Sequence, residues 1–356
     1  MGYGLGIDLG TTFTAAAVDL ANRIEMLALG DRSVVAPAIV FVSEDGVVTT
    51  GDAAARRAVR EPSRAARDFK RRLGDPTPLM LGGTPHSAIA LLGYVLQDVL
   101  KQATEEEGEQ PDHVVLTRPA NWGPYRQESF NELLRLDGLD CAQVVTEPEA
   151  AAAYYAMQRH MADGDVVAVY DLGGGTFDAT VVCKQPGGIS ILGNSEGLER
   201  LGGIDFDQAI MAHVDYMLDG AITELNPHEP QVALALRRLR HDCVEAKEVL
   251  SVDTETTIPV YVPHEHCEVK LTRDELEDML RVPIESTIVA LRGALRSAQV
   301  EPNELTAVLL IGGSSRIPLV ARTISAELGR PIAVDAHPKY AVTLGAAALA
   351  GLQAGY

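Results

Sequence analysis

Asp8 and Asp171 stand in matching surroundings. Each follows an apolar run, Leu5-Gly6-Ile7 in one case and Val166-Val167-Ala168-Val169 with Tyr170 in the other. Each precedes a glycine-rich turn that carries threonine: Gly10-Thr11-Thr12 after Asp8, and Gly173-Gly174-Gly175-Thr176 after Asp171. Bare backbone at a turn presents N–H donors without Cβ obstruction, and such donors suit phosphate oxygens. A carboxylate beside the turn can hold hydrated Mg²⁺, which takes carboxylate and phosphate oxygens plus several waters. One glycine-rich turn is weak evidence, because tight hairpins use glycine for geometry alone. Two such turns, with Asp and Thr in corresponding places, point to two faces closing on one nucleotide.

The elements that must carry these residues follow from the hydrophobic pattern. Beyond each turn a second β-rich run begins, Ala15 to Val18 and Ala179 to Cys183, so each turn is the tip of a hairpin. The first half continues with a strand at Ala38 to Val42, a helix from Gly51 to Arg60, and a stop at Asp75-Pro76. Apolar spacing predicts an amphipathic helix from Ser87 to Gln102, an acidic loop from Glu105 to Glu109, a strand at Val114 to Thr117 and a helix from Tyr125 to Leu136. Thr146-Glu147-Pro148-Glu149 has capping-box spacing with proline in the first turn, and opens a helix of alanine and tyrosine. Its small side chains suit a close crossing with another helix, at a junction between lobes.

In the second half Gly202-Gly203 runs into a helix, and a long helix spans Val232 to Leu250. Strands at Thr256 to Val262 and Cys267 to Lys270 precede a second capping box, Thr272 to Glu275, which opens a helix to about Leu280. Pro283 is expected to start the next helix, running to Ala298. Val308 to Ile311 is a central strand, and Gly312-Gly313-Ser314-Ser315-Arg316 is a turn whose free N–H groups suit a phosphate or ribose. A last small-sided helix from Val342 to Gln353 mirrors the one beginning at Pro148, so the halves read as copies of one αβ unit.

Bulk properties bound the function. At 356 residues, with 46% hydrophobic and 22% charged residues, the chain has core enough for two lobes. A formal net charge of −20 argues against a nucleic-acid surface or an anionic-membrane surface. The arginine-rich stretch from Arg56 to Arg72 is the local exception, and most of it reads as a solvated helix face. Cys141, Cys183, Cys243 and Cys267 lack CxxC spacing, so neither a disulfide framework nor a zinc cluster is indicated. His264-Glu265-His266-Cys267 reads as an exposed loop rather than a metal site. Gly193-Asn194-Ser195-Glu196-Gly197 fits the G-x-S-x-G pattern but lies in a strand, not at a strand-to-helix elbow, so a serine-hydrolase role is set aside. No signal peptide, transmembrane run or Walker A string with Gly-Lys is present, and a reducing cytoplasmic setting is expected.

The strings Gly6–Thr12, Thr146–Ala156, Asp171–Asp178, Leu201–Asp207, Ile311–Pro318 and Leu344–Gly351 stand in an order that resembles the nucleotide-binding domain of the seventy-kilodalton heat-shock chaperones, the DnaK family. This family belongs to the actin and sugar-kinase ATPase superfamily, and the resemblance covers essentially the whole chain. It implies an α/β, actin-like ATPase fold of two lobes, each built on a ribonuclease-H-like βββαβαβα unit, with the nucleotide in the cleft between them. Lobe I would span 1–165, with an outer part near 37–86 and the helix 342–356 returning to it. Lobe II would span 166–341, with an outer part near 203–284.

The resemblance also implies roles and ligands: ATP or ADP with Mg²⁺, and K⁺ as a further cation. Asp8 and Asp171 would hold the magnesium shell, while Gly10, Thr11 and Thr12 would contact the terminal phosphates. Lys70 resembles the catalytic lysine and Glu147 the essential glutamate, with Asp171 and Thr176 completing the catalytic set. Gly173, Gly174, Gly175 and Asp178 would form the second phosphate loop. Gly202, Gly203, Lys247, Ser251, Gly312, Gly313, Ser314 and Arg316 would bind the rest of the nucleotide. Pro119 and Arg126 resemble the pair that transmits nucleotide state to a neighbouring domain.

Departures from the family pattern concentrate at the adenosine end, where Val244, Glu248, Ile204 and Lys339 replace other residue types, and the segment between Lys70 and Ser87 is short. Adenosine contacts and nucleotide affinity are therefore expected to be weaker than in a standard chaperone. The chain stops after the last helix, so it is expected either to be a piece of a longer protein or to lack peptide binding. The leading expectation is a slow ATPase acting as a nucleotide-controlled switch on a protein partner or a missing C-terminal domain. The alternative is a scaffold that keeps the fold and uses nucleotide poorly. A sugar or acetate kinase on the same superfold has no candidate sugar-binding insertion, and an actin-like filament former fits the chaperone-type strings poorly.

Overall fold

The structure, a computed structural model, describes all residues except 1, 22, 140, 160, 228, 264, 335–339 and 354–356. The N-terminal half runs β1 (Gly4–Leu9), β2 (Phe13–Leu20), β3 (Arg23–Met26), β4 (Val35–Pro37), β5 (Ile39–Val42), β6 (Val48–Thr50), α1 (Gly51–Arg60), β7 (Ala65–Arg67), β8 (Leu79–Leu81), β9 (Thr84–His86), α2 (Ala88–Glu107), β10 (His113–Arg118), α3 (Pro124–Leu136), β11 (Gln143–Thr146) and α4 (Glu147–Arg159). The C-terminal half runs β12 (Val166–Leu172), β13 (Phe177–Gln185), β14 (Gly188–Leu198), α5 (Gly203–Met217), α6 (Pro230–Val249), β15 (Glu255–Val262), β16 (Glu265–Thr272), α7 (Arg273–Ala298), β17 (Ala307–Ile311), α8 (Pro318–Leu328), β18 (Ile332–Val334) and α9 (Ala341–Gln353).

The main sheets of the two halves have the same topology. One is ordered β11-β10-β1-β2-β3 and the other β18-β17-β12-β13-β14. In each, the first strand pairs antiparallel with the second and parallel with a later one, β10 or β17. The fold is thus mixed α/β with a repeated unit. The aspartates fall in equivalent places, Asp8 near the end of β1 and Asp171 near the end of β12.

Each half has its own apolar core, and a third core joins them. Val115 and Val145 of the first sheet, Val167, Val169 and Leu309 of the second, and alanines of α4 and α9 share this third core. The closing helices cross over: α9 packs on β1, β2 and β10, and α4 packs on β12, β13 and β14 as well as on its own sheet. Small residues permit this. A Cβ on Gly345 would fall 1.8 Å from the Ala150 carbonyl oxygen, and one on Gly6 would fall 2.1 Å from the Ala347 nitrogen. The close helix crossing read from the alanine-rich sequences is present.

Three expectations are corrected. The helix expected to stop at Gln102 extends to Glu107, so Glu105 to Glu107 are helical, and the αL Gly108 ends the helix rather than the acidic run. The break at Pro283 does not occur. Helix α7 continues from Arg273 to Ala298, because Leu276, Leu280, Ile284, Leu291 and Leu295 bury one stripe through the proline. Burial of a large aliphatic side chain contributes about 1.5–3 kcal/mol, so several of them outweigh a proline penalty of about 3 kcal/mol. Glu265 to Cys267 are the start of β16, paired with β15, rather than a loop; His264 lies outside the described residues.

Candidate functional site

The two hairpin tips meet. A Cβ on Gly174 would fall 2.0 Å from Thr12 Oγ1, and one on Gly175 would fall 2.8 Å from Thr11 Cγ2. Only glycine allows the tips this close. Around them is a cavity of about 250 Å³. Its wall includes Asp8, Gly10, Thr11, Thr12, Lys70, Glu147, Asp171, Gly173, Gly174, Gly175 and Thr176 at one end. Gly203, Lys247, Ser251, Gly312, Gly313 and Ser314 complete the sequence-predicted lining.

Lys70 comes from a 3₁₀ turn at Phe69–Arg72, and Glu147 opens α4 behind the Thr146–Glu149 capping box. Their side chains meet at 2.8 Å, both nearly fully buried, and the ammonium lies 5.7 Å from the centre of the Trp122 ring. Burial opposes the charge on Lys70, but Glu147, Asp8 and Asp171 outweigh it and hold the ammonium above the ordinary lysine range. Burial raises Glu147, opposed by Lys70 and reinforced by Asp8. Asp171 is pushed well above the usual carboxylate range by burial, then by Glu147 and Asp8. Asp178, directly across the ladder from Asp171, is raised by burial, then by Glu147 and Asp171. This end of the cavity gathers buried carboxyl groups around the Lys70 ammonium.

That environment fits magnesium carried by a phosphate chain. Thr12 Oγ1 and Asp178 Oδ1 are buried without a hydrogen-bond partner. Among the described residues no three His, Cys, Asp or Glu side chains converge as a self-contained metal cage. Magnesium, which takes one or two carboxylates and fills its shell with phosphate oxygens and water, suits such an open set.

Some predicted residues stand back from the cavity wall. Gly202 lies behind the second turn, where a Cβ would fall 2.7 Å from the Gly175 nitrogen. Asp178 is buried beneath Asp171, and Arg316 is exposed; neither lines the cavity. Lys247 does line it, with its ammonium 2.6 Å from Asp207 Oδ1 and donating to the Gly203 carbonyl at 3.0 Å. Val244, Lys247 and Glu248 form one stripe near the end of α6 at i, i+3 and i+4, with Ser251 just past the helix, so the departures Val244 and Glu248 face the cavity, as does Ile204. Lys339 lies outside the described residues. Arg126 of α3 pairs with Glu199, just past β14, at 2.7 Å.

Sequence reading missed five participants. Thr117, next to last in β10, donates to Asp8 Oδ1 at 2.8 Å; the polar residue closing an apolar run was the available signal. Trp122 sits under Lys70, Phe13 and Val35 line the cavity, and Arg71 crosses between the halves. For these, nothing in local spacing marked a role.

The Hsp70 protein family profile matches residues 4–78 and 79–356. The chain is 30% identical to a protein named chaperone protein DnaK from Cenarchaeum symbiosum (strain A), over 99% of this chain and 54% of that one. It is 28% identical to the protein of the same name from Nitrosopumilus maritimus (strain SCM1), over 100% of this chain and 57% of that one. The chain therefore spans about half the length of these curated relatives.

Proposed function

The chain belongs to the Hsp70 family, and we propose that it is a nucleotide-binding domain that binds ATP or ADP with magnesium and hydrolyses ATP slowly, as a nucleotide-controlled switch. The carrying observation is the meeting of the two glycine turns over a cavity that holds Lys70, Glu147, Asp8 and Asp171 together. We read the two matching sheets as lobes spanning 1–165 and 166–341, with the cavity in the cleft between them and α9 returned to the first lobe.

Asp8 and Asp171 would hold magnesium through its water shell, and Thr117 fixes one oxygen of Asp8. Bound ATP would supply the phosphoryl group, and its magnesium would neutralise the charge that develops on it. Phosphoryl transfer to water needs positioning and charge stabilisation rather than covalent help. Lys70, kept charged by its carboxylate neighbours, orients water and stabilises negative charge. Glu147 anchors Lys70, and the hydroxyls of Thr12 and Thr176 with the glycine backbone present donors to the phosphates. A partner protein or a further domain would read the state of the cleft. A cytoplasmic setting belongs to the same reading; among the described residues no helix is long and apolar enough to cross a membrane.

A single-turnover hydrolysis assay with Lys70→Ala tests the enzymatic half. Hydrolysis by the wild type and its loss in the variant, with nucleotide still bound, support it; no wild-type turnover of demonstrably bound ATP overturns it. One observation favours a second reading, a scaffold that uses nucleotide poorly: Ile204, Val244 and Glu248 all face the cavity and supply no cation to an anionic ligand.

A further inference from the structure

Arg71 is next to Lys70 in sequence yet serves a different part of the site. Its guanidinium donates through Nη2 to the Gly175 carbonyl oxygen and, at 3.1 Å, to Asp205 Oδ2. Both partners belong to the C-terminal half, whereas Arg71 belongs to the N-terminal half. The guanidinium packs against Gly175 so closely that a Cβ there would fall 2.5 Å from Arg71 Nε.

The Gly175 contact completes a series. The Gly173 carbonyl accepts from Ser314 Oγ at 2.9 Å and from the Gly203 N–H at 3.0 Å. The Gly174 carbonyl accepts from the Ile204 N–H at 2.8 Å, and the Gly175 carbonyl accepts from Arg71. Across a trans peptide the carbonyl and the next N–H point in opposite directions. Capture of the three successive carbonyls by donors gathered about the start of α5 therefore points the N–H groups of Gly174, Gly175 and Thr176 away from those donors. Successive N–H groups aimed together form an anion-binding nest. The donors to the first two carbonyls come from the turn's own half; the third comes from across the cleft.

We propose that Arg71 is a positioning residue that orients the Gly175–Thr176 peptide for phosphate, so that the anion nest is complete only when the two halves are together. The inference rests on the nucleotide-binding reading above. Arg71 touches the turn and is not part of the cavity wall. Asp205, in the first turn of α5, holds the guanidinium in place, while residues at the start of the same helix hold the first two peptides. A lysine keeps the charge but lacks the planar guanidinium whose Nη2 carries both contacts.

Calorimetric titration with Mg-ADP and with adenosine, on the wild type, Arg71→Ala, Arg71→Lys and Asp205→Asn, tests it. Loss of a charge-assisted hydrogen bond is expected to weaken ADP binding on the order of tenfold in Arg71→Ala, with adenosine binding changed by less than about twofold. Arg71→Lys and Asp205→Asn should weaken ADP binding by smaller factors, again leaving adenosine unaffected. Should Arg71→Ala fail to fold, those two variants carry the comparison. Unchanged ADP binding overturns the proposal, as does an equal loss for ADP and adenosine, which marks a merely structural role. A wild-type chain that binds ADP no better than adenosine overturns the phosphate-site reading itself, before any variant is compared.

Discussion

Lys70 Nζ lies 2.8 Å from Glu147 Oε1, and the side chains are 7% and 11% exposed. The pair joins a 3₁₀ turn of the N-terminal half to the first residue of α4, in the wall of the cavity where the hairpin tips meet. Removing one partner of a buried ion pair strands the other charge, at a cost of about 3–5 kcal/mol. Glu147→Ala should therefore lower stability by about that amount. Lys70→Ala should cost less, because Glu147 can take up a proton in a site that already favours its neutral form. The double variant should be more stable than the sum of the two losses implies, a non-additivity readable from denaturant unfolding of all four proteins.

Asp178 is the buried charge that stability would most readily spare. It faces Asp171 across the ladder, and one of its oxygens has no hydrogen-bond partner. Asp178→Asn keeps the shape and removes a like charge, so the magnesium-free protein should become more stable, by about 1 kcal/mol. A thermal melt in chelator checks this; a lower midpoint would mean that the carboxylate is satisfied in a way its contacts do not suggest.

The thiols should separate by burial. Cys243 is fully buried on α6, and burial, with Asp207 and Asp242, pushes it up to about 12, while Cys141 is exposed. Disulfide-exchange reagents at mild alkaline pH should therefore modify Cys141 quickly in the native protein and spare Cys243 until it unfolds. The sign for stability follows from a folded value above the unfolded one of about 8.5. The Cys243 contribution is fully present below about 8.5 and is lost as pH rises toward 12. Cys243→Ala should flatten the fall of the unfolding midpoint over that range.

Glu248 places a carboxylate in the cavity wall, one helical turn from Val244. Glu248→Arg changes the local charge by two toward an anionic ligand, so Mg-ADP affinity should rise, on the order of tenfold. Titration of the variant beside the wild type measures it. Unchanged affinity would mean that Glu248 does not face the nucleotide.

The helix crossing is a packing test. A methyl at Gly345 has no room against the Ala150 carbonyl, so Gly345→Ala should cost about 1–3 kcal/mol despite alanine's better helix propensity. Gly329, at an αL helix end with nothing near its absent Cβ, is the contrasting site, where the conformation and not crowding limits substitution.

The parts of the site legible in the sequence are those written in short strings. A glycine turn after an aspartate places both its donors and its carboxylate within a few residues, so both hairpin tips could be read directly. The capping box at Thr146 fixed where Glu147 begins its helix. Arg71 and Trp122 were not legible, because each acts on a residue far along the chain, Gly175 and Lys70, while Thr117 offered only a polar residue closing an apolar run as a sign of its bond to Asp8. Arg71 was further hidden among arginines that read together as a solvated face. Pro283 misled in the other direction: a local rule for breaking helices lost to an apolar stripe that only the packed core of the C-terminal half rewards.

The central claim is that the cavity binds magnesium nucleotide, and thermal unfolding with Mg-ADP, Mg-ATP and no nucleotide tests it most directly. A ligand that binds only the folded state raises the midpoint by mass action. The account predicts a rise with both nucleotides at millimolar concentration. An unchanged midpoint with both would contradict it, and the fold would then serve as a scaffold in which Ile204, Val244 and Glu248 have closed the site to its ligand.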